Sequence, residues 1–367
     1  MRSRFALMAL PFLLAALCLP AQAAAADEVL ITQEEGLELD KLERSAAENG
    51  GMADYGTGLD EGLAELLDTG TRELGSVVRR AVRSAVLILV ILLFCSLAET
   101  VQEGAGNSRI RAVPLAGTLA VTVVAVTDVN SLLGMGTGAI DRMTSFSNVL
   151  LPTVAAVTAA TGAITGAAVR QLAAALFSNL LVNLIDGLLV PLLYGYIAVS
   201  VAQSATGTEG LKRLADLLKW TVTTVLTVVM LAFVGYLTAS GVVAGTADAA
   251  TVKAAKFAIS GAIPVVGGIL SDAAETMLAS AGVLKGTVGV FGMLTILGIC
   301  LLPLLRLAVH YLTYKLAAAL AAALGSGPVY DMVDRLGSAF GLVLGMMGAC
   351  CLLQLIALVS CVSVAAI

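Results

Sequence analysis

The sequence predicts an all-α, polytopic integral membrane protein. About six to eight transmembrane helices are expected, with interfacial amphipathic helices and a re-entrant or interfacial hairpin. Three observations lead there. Of 367 residues, 59% are hydrophobic and 13% charged, against roughly 45–50% and about 25% in a soluble domain. The apolar residues fall in blocks long enough to cross about 30 Å of hydrocarbon. One further block, Ala258–Leu270, is too short to cross and is interrupted by Gly261, Pro264, Gly267 and Gly268 before Asp272 and Glu275.

Residues 1–23 carry Arg2 and Arg4, an apolar run from Phe5 to Leu19, and then Pro20-Ala21-Gln22-Ala23. A basic start, an apolar middle and an A-x-A end read as a secretory signal peptide with cleavage after Ala23. An uncleaved first anchor is the alternative. Either reading exports residues 24–80, an acidic segment. Residues 24–75 hold fourteen acidic against three basic side chains, a local charge of −11 within a chain total of −5. Leu59, Leu63, Leu66, Leu67, Leu74, Val77 and Val78 follow a helical rhythm. They predict an amphipathic helix on the membrane surface or on a partner.

Residues 81–367 form the membrane domain, with apolar runs at 81–98, 112–133, 148–168, 172–203, 220–241, 287–308 and 339–362. The fourth run contains Asp186-Gly187 and Pro191. It reads either as one tilted, broken helix or as a tight pair of short ones. Lys and Arg concentrate in cytoplasmic loops. With an exported N-terminus, the basic loop at Lys212, Arg213 and Lys219 is cytoplasmic if two passes lie within 172–203. Arg79, Arg80 and Arg83 oppose that rule, and pairing with the acidic segment is one resolution. Gly210–Trp220 places four leucines on one face and its basic residues on others. It is expected to be an interfacial helix anchored by Trp220, and Lys212, Arg213 and Lys219 are candidates for docking a cytoplasmic partner.

The short block has polar, alanine-rich arms on both sides, so residues 246–286 predict a hairpin. Irregular backbone at membrane depth is tolerated where it is buried in protein or lines a wet cavity. Gly261, Pro264, Gly267, Gly268, Asp272 and Glu275 are its candidate assembly residues. Gly337, Gly341 and Gly345 repeat every four residues, a spacing that lets helices approach closely.

Chemistry-bearing motifs are sparse. The chain has no HExxH, GxxxxGK[ST], GxSxG or CxxC and a single histidine, His310. Five of its six cysteines lie in apolar runs beyond the signal peptide and read as small packing residues. No catalytic residue, metal or cofactor is expected. Nucleic acid is not an expected ligand, because the exported segment is acidic and phosphate binding needs basic patches. The informative residues are polar ones inside spans: Asp128, Asn130, Asn179, Asn183 and Asp186. A charge in lipid costs about 2.5–3.5 kcal/mol even on insertion scales, so such residues face a partner helix or a wet cavity. Asn179, Asn183 and Asp186, at i, i+4 and i+7, share a helix face.

Residues 252–286, VKAAKFAISGAIPVVGGILSDAAETMLASAGVLKG, resemble the signature region of the stage III sporulation protein AE family. GVFGM (289–293) and YKLAAALAAALG (314–325) are similar to that family as well, as is the order of signal peptide, exported segment and polytopic part. The resemblance implies a non-enzymatic subunit of the channel linking mother cell and forespore, contributing to assembly and to the membrane pore. It implies residence in the mother-cell membrane around the forespore. It also implies partners among other membrane and extracytoplasmic channel proteins, including a cytoplasmic ATPase and ring-forming subunits. The competing expectation is an autonomous secondary transporter with a broken-helix substrate site near Asp186 and Pro264.

Overall fold

A computed structural model describes residues 31–51, 54, 56–104, 112–160, 164–239, 287–324 and 327–362. Among the described residues all regular structure is helical: α1 Ile31–Glu48, α2 Leu59–Gly104, α3 Ala112–Ala160, α4 Ile164–Leu184, a π-helical turn Ile185–Leu189, α5 Val190–Thr206, α6 Glu209–Ala239, α7 Thr287–Leu324 and α8 Gly327–Val362. Six stretches are long and apolar enough to cross a membrane: Leu59–Ala98, Leu115–Ala156, Gln171–Thr206, Glu209–Tyr236, Val288–Ala323 and Val329–Cys361. The expected signal peptide and the expected 246–286 hairpin lie outside the described residues.

The lower end of the expected range follows from helices that continue where hydropathy breaks. The runs 112–133 and 148–168 are not separate spans, because α3 carries the chain through GMGTGAIDR as helix to Ala160. Its buried positions keep a helical period through that polar stretch: Val129, Leu132, Leu133, Ala139, Ile140, Met143, Phe146 and Leu150. Gly136 meets Val343 of α8 so closely that a Cβ there would lie 2.8 Å from the valine side chain. Tertiary contact therefore compensates the weak helix propensity of glycine. At 1.5 Å per residue this helix is roughly 74 Å long, well beyond a bilayer.

Of the two readings of 172–203, the structure takes the single broken helix rather than the pair of passes. The backbone turns through Asp186-Gly187 as a π-helical turn, with Val190 N–H bonded to Ile185 O, and continues through Pro191. A π turn admits one extra residue without breaking a helix. α5 then ends at Gly207, whose φ of 69° and N–H bond to Gln203 O make a left-handed cap. Relative to the paired reading two passes are lost, an even number, so the side on which Gly210–Trp220 lies is unchanged.

Gly210–Trp220 is not a separate interfacial helix. It forms the first turns of α6, with Leu214, Leu217 and Trp220 exposed and Ala215 buried. Residues 59–78 similarly run without a break into the first apolar run as α2.

The ends of α2, α5 and α7 and the starts of α3, α6 and α8 gather at one end of the bundle. There Gly117 lies against Cys95 and Val329, Thr118 shares a 3.3 Å hydrogen bond with Ser204, and Lys219 meets Ser338. At the other end Phe146 packs edge-on against Phe291 at 6.4 Å, and Gly62 and Gly51 receive Leu294 and Thr295. α8 is the central helix, with 94% of its most apolar stretch buried. Gly337 and Gly341 open its surface to α7: a Cβ on Gly341 would stand 3.0 Å from the Tyr311 ring.

Candidate functional site

The polar side chains of the spans divide into an inward network and an outward face. The inward network lies where α3, α5, α6, α7 and α8 converge. Tyr314 of α7 donates to Asp128 Oδ2 of α3 at 2.8 Å. Next along α7, Lys315 Nζ donates to Asp334 Oδ1 at 2.7 Å and to Ser338 Oγ at 2.9 Å. Lys219 Nζ reaches the same Ser338 oxygen at 3.4 Å. Arg335 pairs with Asp216 of α6 at 3.1 Å, and Tyr196 of α5 donates to the Arg335 carbonyl. Each of these bonds joins two different helices, so the network sets the register of five elements at once. A second cluster lies deeper, where Gln354 donates to Thr144 at 3.3 Å. Cys300 and Cys351 there bring their sulfurs within 3.2 Å.

The outward face belongs to α3 and α4. Asn179, Asn183 and Asp186 are all exposed, on the face that their spacing predicts. On the neighbouring helix α3, Asn130, Gly134, Asp141, Ser145 and Asn148 are exposed at steps of three, four and seven. From Asn130 to Asn148 the face runs roughly 27 Å along α3, comparable with a bilayer core.

The predicted residues therefore separate. Asp128 is half-buried in the inward network, whereas Asn130, Asn179, Asn183 and Asp186 point outward. Lys212 and Arg213 are exposed, but Lys219 is drawn into the bundle against Ser338. Gly261, Pro264, Gly267, Gly268, Asp272 and Glu275 lie outside the described residues. Lys315, Asp334, Arg335, Ser338 and Gln354 were missed by sequence reasoning. A signal existed in Gln354, a lone amide within an apolar run. Lys315 and Asp334 sit beside span boundaries, where charge is ordinary.

Six membrane-length stretches, five of them packed around the buried α8 and joined to it and to one another by polar contacts, define a polytopic helical membrane protein. The sequence profile of the stage III sporulation protein AE family matches residues 58–365, and the chain belongs to that family. The stage III sporulation protein AE of Bacillus subtilis (strain 168) is 26% identical over 248 residues. That alignment covers 67% of this chain and 62% of the relative, so the chain spans somewhat under two thirds of the relative's length. No solved structure matches the chain.

Proposed function

We propose that this chain is a non-enzymatic membrane subunit of a multiprotein channel between mother cell and forespore, seated in the mother-cell membrane. In this reading a cytoplasmic ATPase and ring-forming extracytoplasmic subunits are its partners, and it contributes to assembly and to the membrane pore. The observation that carries the proposal is the direction of the α3/α4 polar face. An autonomous transporter holds its polar substrate groups inside its own bundle, at the broken helix. Here Asn179 and Asn183 precede the π turn and Asp186 lies within it, yet all three are exposed on the outside of the bundle. Polar residues in a span are costly against lipid; on the outside of one chain they suit a place where other subunits or a shared aqueous path adjoin it.

The test is reconstitution of the purified chain alone, alongside affinity purification from sporulating cells. The proposal expects no solute uptake by the chain alone and recovery of other channel subunits with the tagged chain. Asn183→Leu/Asp186→Leu should leave the thermal midpoint of the isolated chain unchanged and reduce that recovery. Saturable uptake by the chain alone, abolished by Asp186→Asn, would establish the transporter reading instead.

A further inference from the structure

We infer that α2 and α7 form a binding site for an anionic phospholipid, its phosphate held by Arg79, Arg80 and Arg83 and an acyl chain lying in the adjoining apolar groove. α2 has two distinct sides. Val77, Ala81, Ala85, Ile88, Leu92 and Cys95 are buried against the bundle. On the other side Val82, Val86, Leu87, Val90, Leu93, Phe94 and Leu97 are each 43–66% exposed. From Val82 to Leu97 this apolar side covers roughly 22 Å of helix, most of the thickness of a hydrocarbon core. The three arginines stand at its N-terminal limit, at i, i+1 and i+4, and all are exposed. That is the depth at which headgroups lie if the apolar side faces lipid.

Two surface grooves meet at this level. The first, about 730 Å³, is lined by Ser76, the three arginines, Val82, Val86 and Leu87. The second, about 410 Å³, lies between the helices and is lined by Val86, Leu89, Val90 and Leu93 of α2 with Leu320 and Ala323 of α7. Val86 lines both, so a basic groove opens onto an apolar one directed along the span. That sequence of chemistry matches an amphiphile. An acidic protein segment would use the arginines but leave the second groove without purpose.

The arginines are available for a ligand. The nearest acid on α2, Glu73, accepts a hydrogen bond from Ser76, and Asp68 is paired with Arg72. Among the described residues no acidic side chain forms an ion pair with Arg79, Arg80 or Arg83. Arginine suits phosphate because its planar fork donates two parallel hydrogen bonds, which lysine cannot reproduce.

The experiment uses the full-length protein in detergent, mixed with phosphatidylglycerol or with phosphatidylcholine of the same acyl chains, and read by native mass spectrometry. Phosphatidylglycerol should be retained preferentially. Arg79→Gln/Arg80→Gln/Arg83→Gln should weaken that retention roughly tenfold or more, because it removes all three charge-assisted donors to the phosphate. Val90→Trp, which fills the apolar groove, should lower retention of both lipids. Arg79→Lys/Arg80→Lys/Arg83→Lys keeps the charge and checks folding by elution and circular dichroism; it should show an intermediate loss. Excess inorganic phosphate should compete poorly, because it lacks the acyl chain. Equal retention of the two lipids by the parent, or undiminished phosphatidylglycerol binding by the glutamine variant, would overturn the site. Full displacement by inorganic phosphate with no effect of Val90→Trp would reduce it to a free-phosphate site and reject the acyl groove.

Discussion

Tyr314 and Asp128, 186 residues apart, are joined by a hydrogen bond of 2.8 Å that ties α7 to α3. The phenol also packs edge-on against Phe340 of α8, with ring centroids at 4.9 Å, so one side chain links three helices. Tyr314→Phe keeps the packing and removes only the donor. It should cost about 1–3 kcal/mol, the penalty of leaving a partly buried polar partner unsatisfied. Thermal unfolding in detergent measures this. Asp128→Asn, whose amide oxygen still accepts, should cost less, and equal losses for both variants would contradict the pairing.

Lys315 and Asp334 approach to 2.7 Å with side-chain exposures of 29% and 41%. Such partial exposure limits the pair to about 1 kcal/mol or less. A double-mutant cycle with Lys315→Met and Asp334→Asn should return a coupling of that order. The coupling should shrink only modestly between low and high salt, because partly buried pairs are screened less than exposed ones. Full loss of coupling in high salt would place the pair on the open surface.

Close approach of α8 to α7 rests on Gly337 and Gly341, where added Cβ atoms would stand 3.3 and 3.0 Å from Tyr314 and Tyr311. Gly341→Val adds more bulk than the neighbouring ring can absorb in place. It should destabilise the bundle by about 1–3 kcal/mol, the usual cost of overpacking. Tyr311→Ala should partly rescue it, and absence of rescue in the double variant's melting temperature would disconnect the two positions.

Cys300 and Cys351 hold their sulfurs 3.2 Å apart, and both are buried. In the folded protein neither should react with a bulky maleimide, and both should react after denaturation. A small membrane-permeant oxidant should convert the pair into a disulfide, seen as faster migration on a non-reducing gel. Cys300→Ser should abolish that shift, and its persistence would assign the bond to another pair.

The spacing of Asn179, Asn183 and Asp186 was enough to put them on one face, because helical geometry relates i, i+4 and i+7 without any knowledge of neighbours. Their direction was not legible. A polar stripe can look inward to a cavity or outward to a partner with the same spacing, and packing of α4 against α3 and α8 decided for outward. The six spans fall within the expected range, but boundaries were misplaced where a dip in hydropathy was treated as the end of a helix. GMGTGAIDR and Asp186-Gly187 interrupt apolar runs, yet a helix satisfies its own backbone and continues when its next turns find a packing surface. Gly210–Trp220 erred the same way, since an amphipathic turn and the following apolar span are equally well served by one continuous α6.

The sequence by itself determined that this is a helical membrane protein, that its N-terminal segment is acidic, which family it resembles, and which polar residues stand inside its apolar runs. These follow from composition, periodicity and motif, which are properties of local stretches. Only the tertiary structure decided that the three or four passes expected between 112 and 203 are two, that Lys219 turns inward while Lys212 and Arg213 do not, and that Lys315, Asp334 and Ser338 meet. Those outcomes depend on which helices become neighbours. That choice is made by burying complementary surfaces such as Gly341 against Tyr311, contacts between residues distant in the chain that no local pattern encodes.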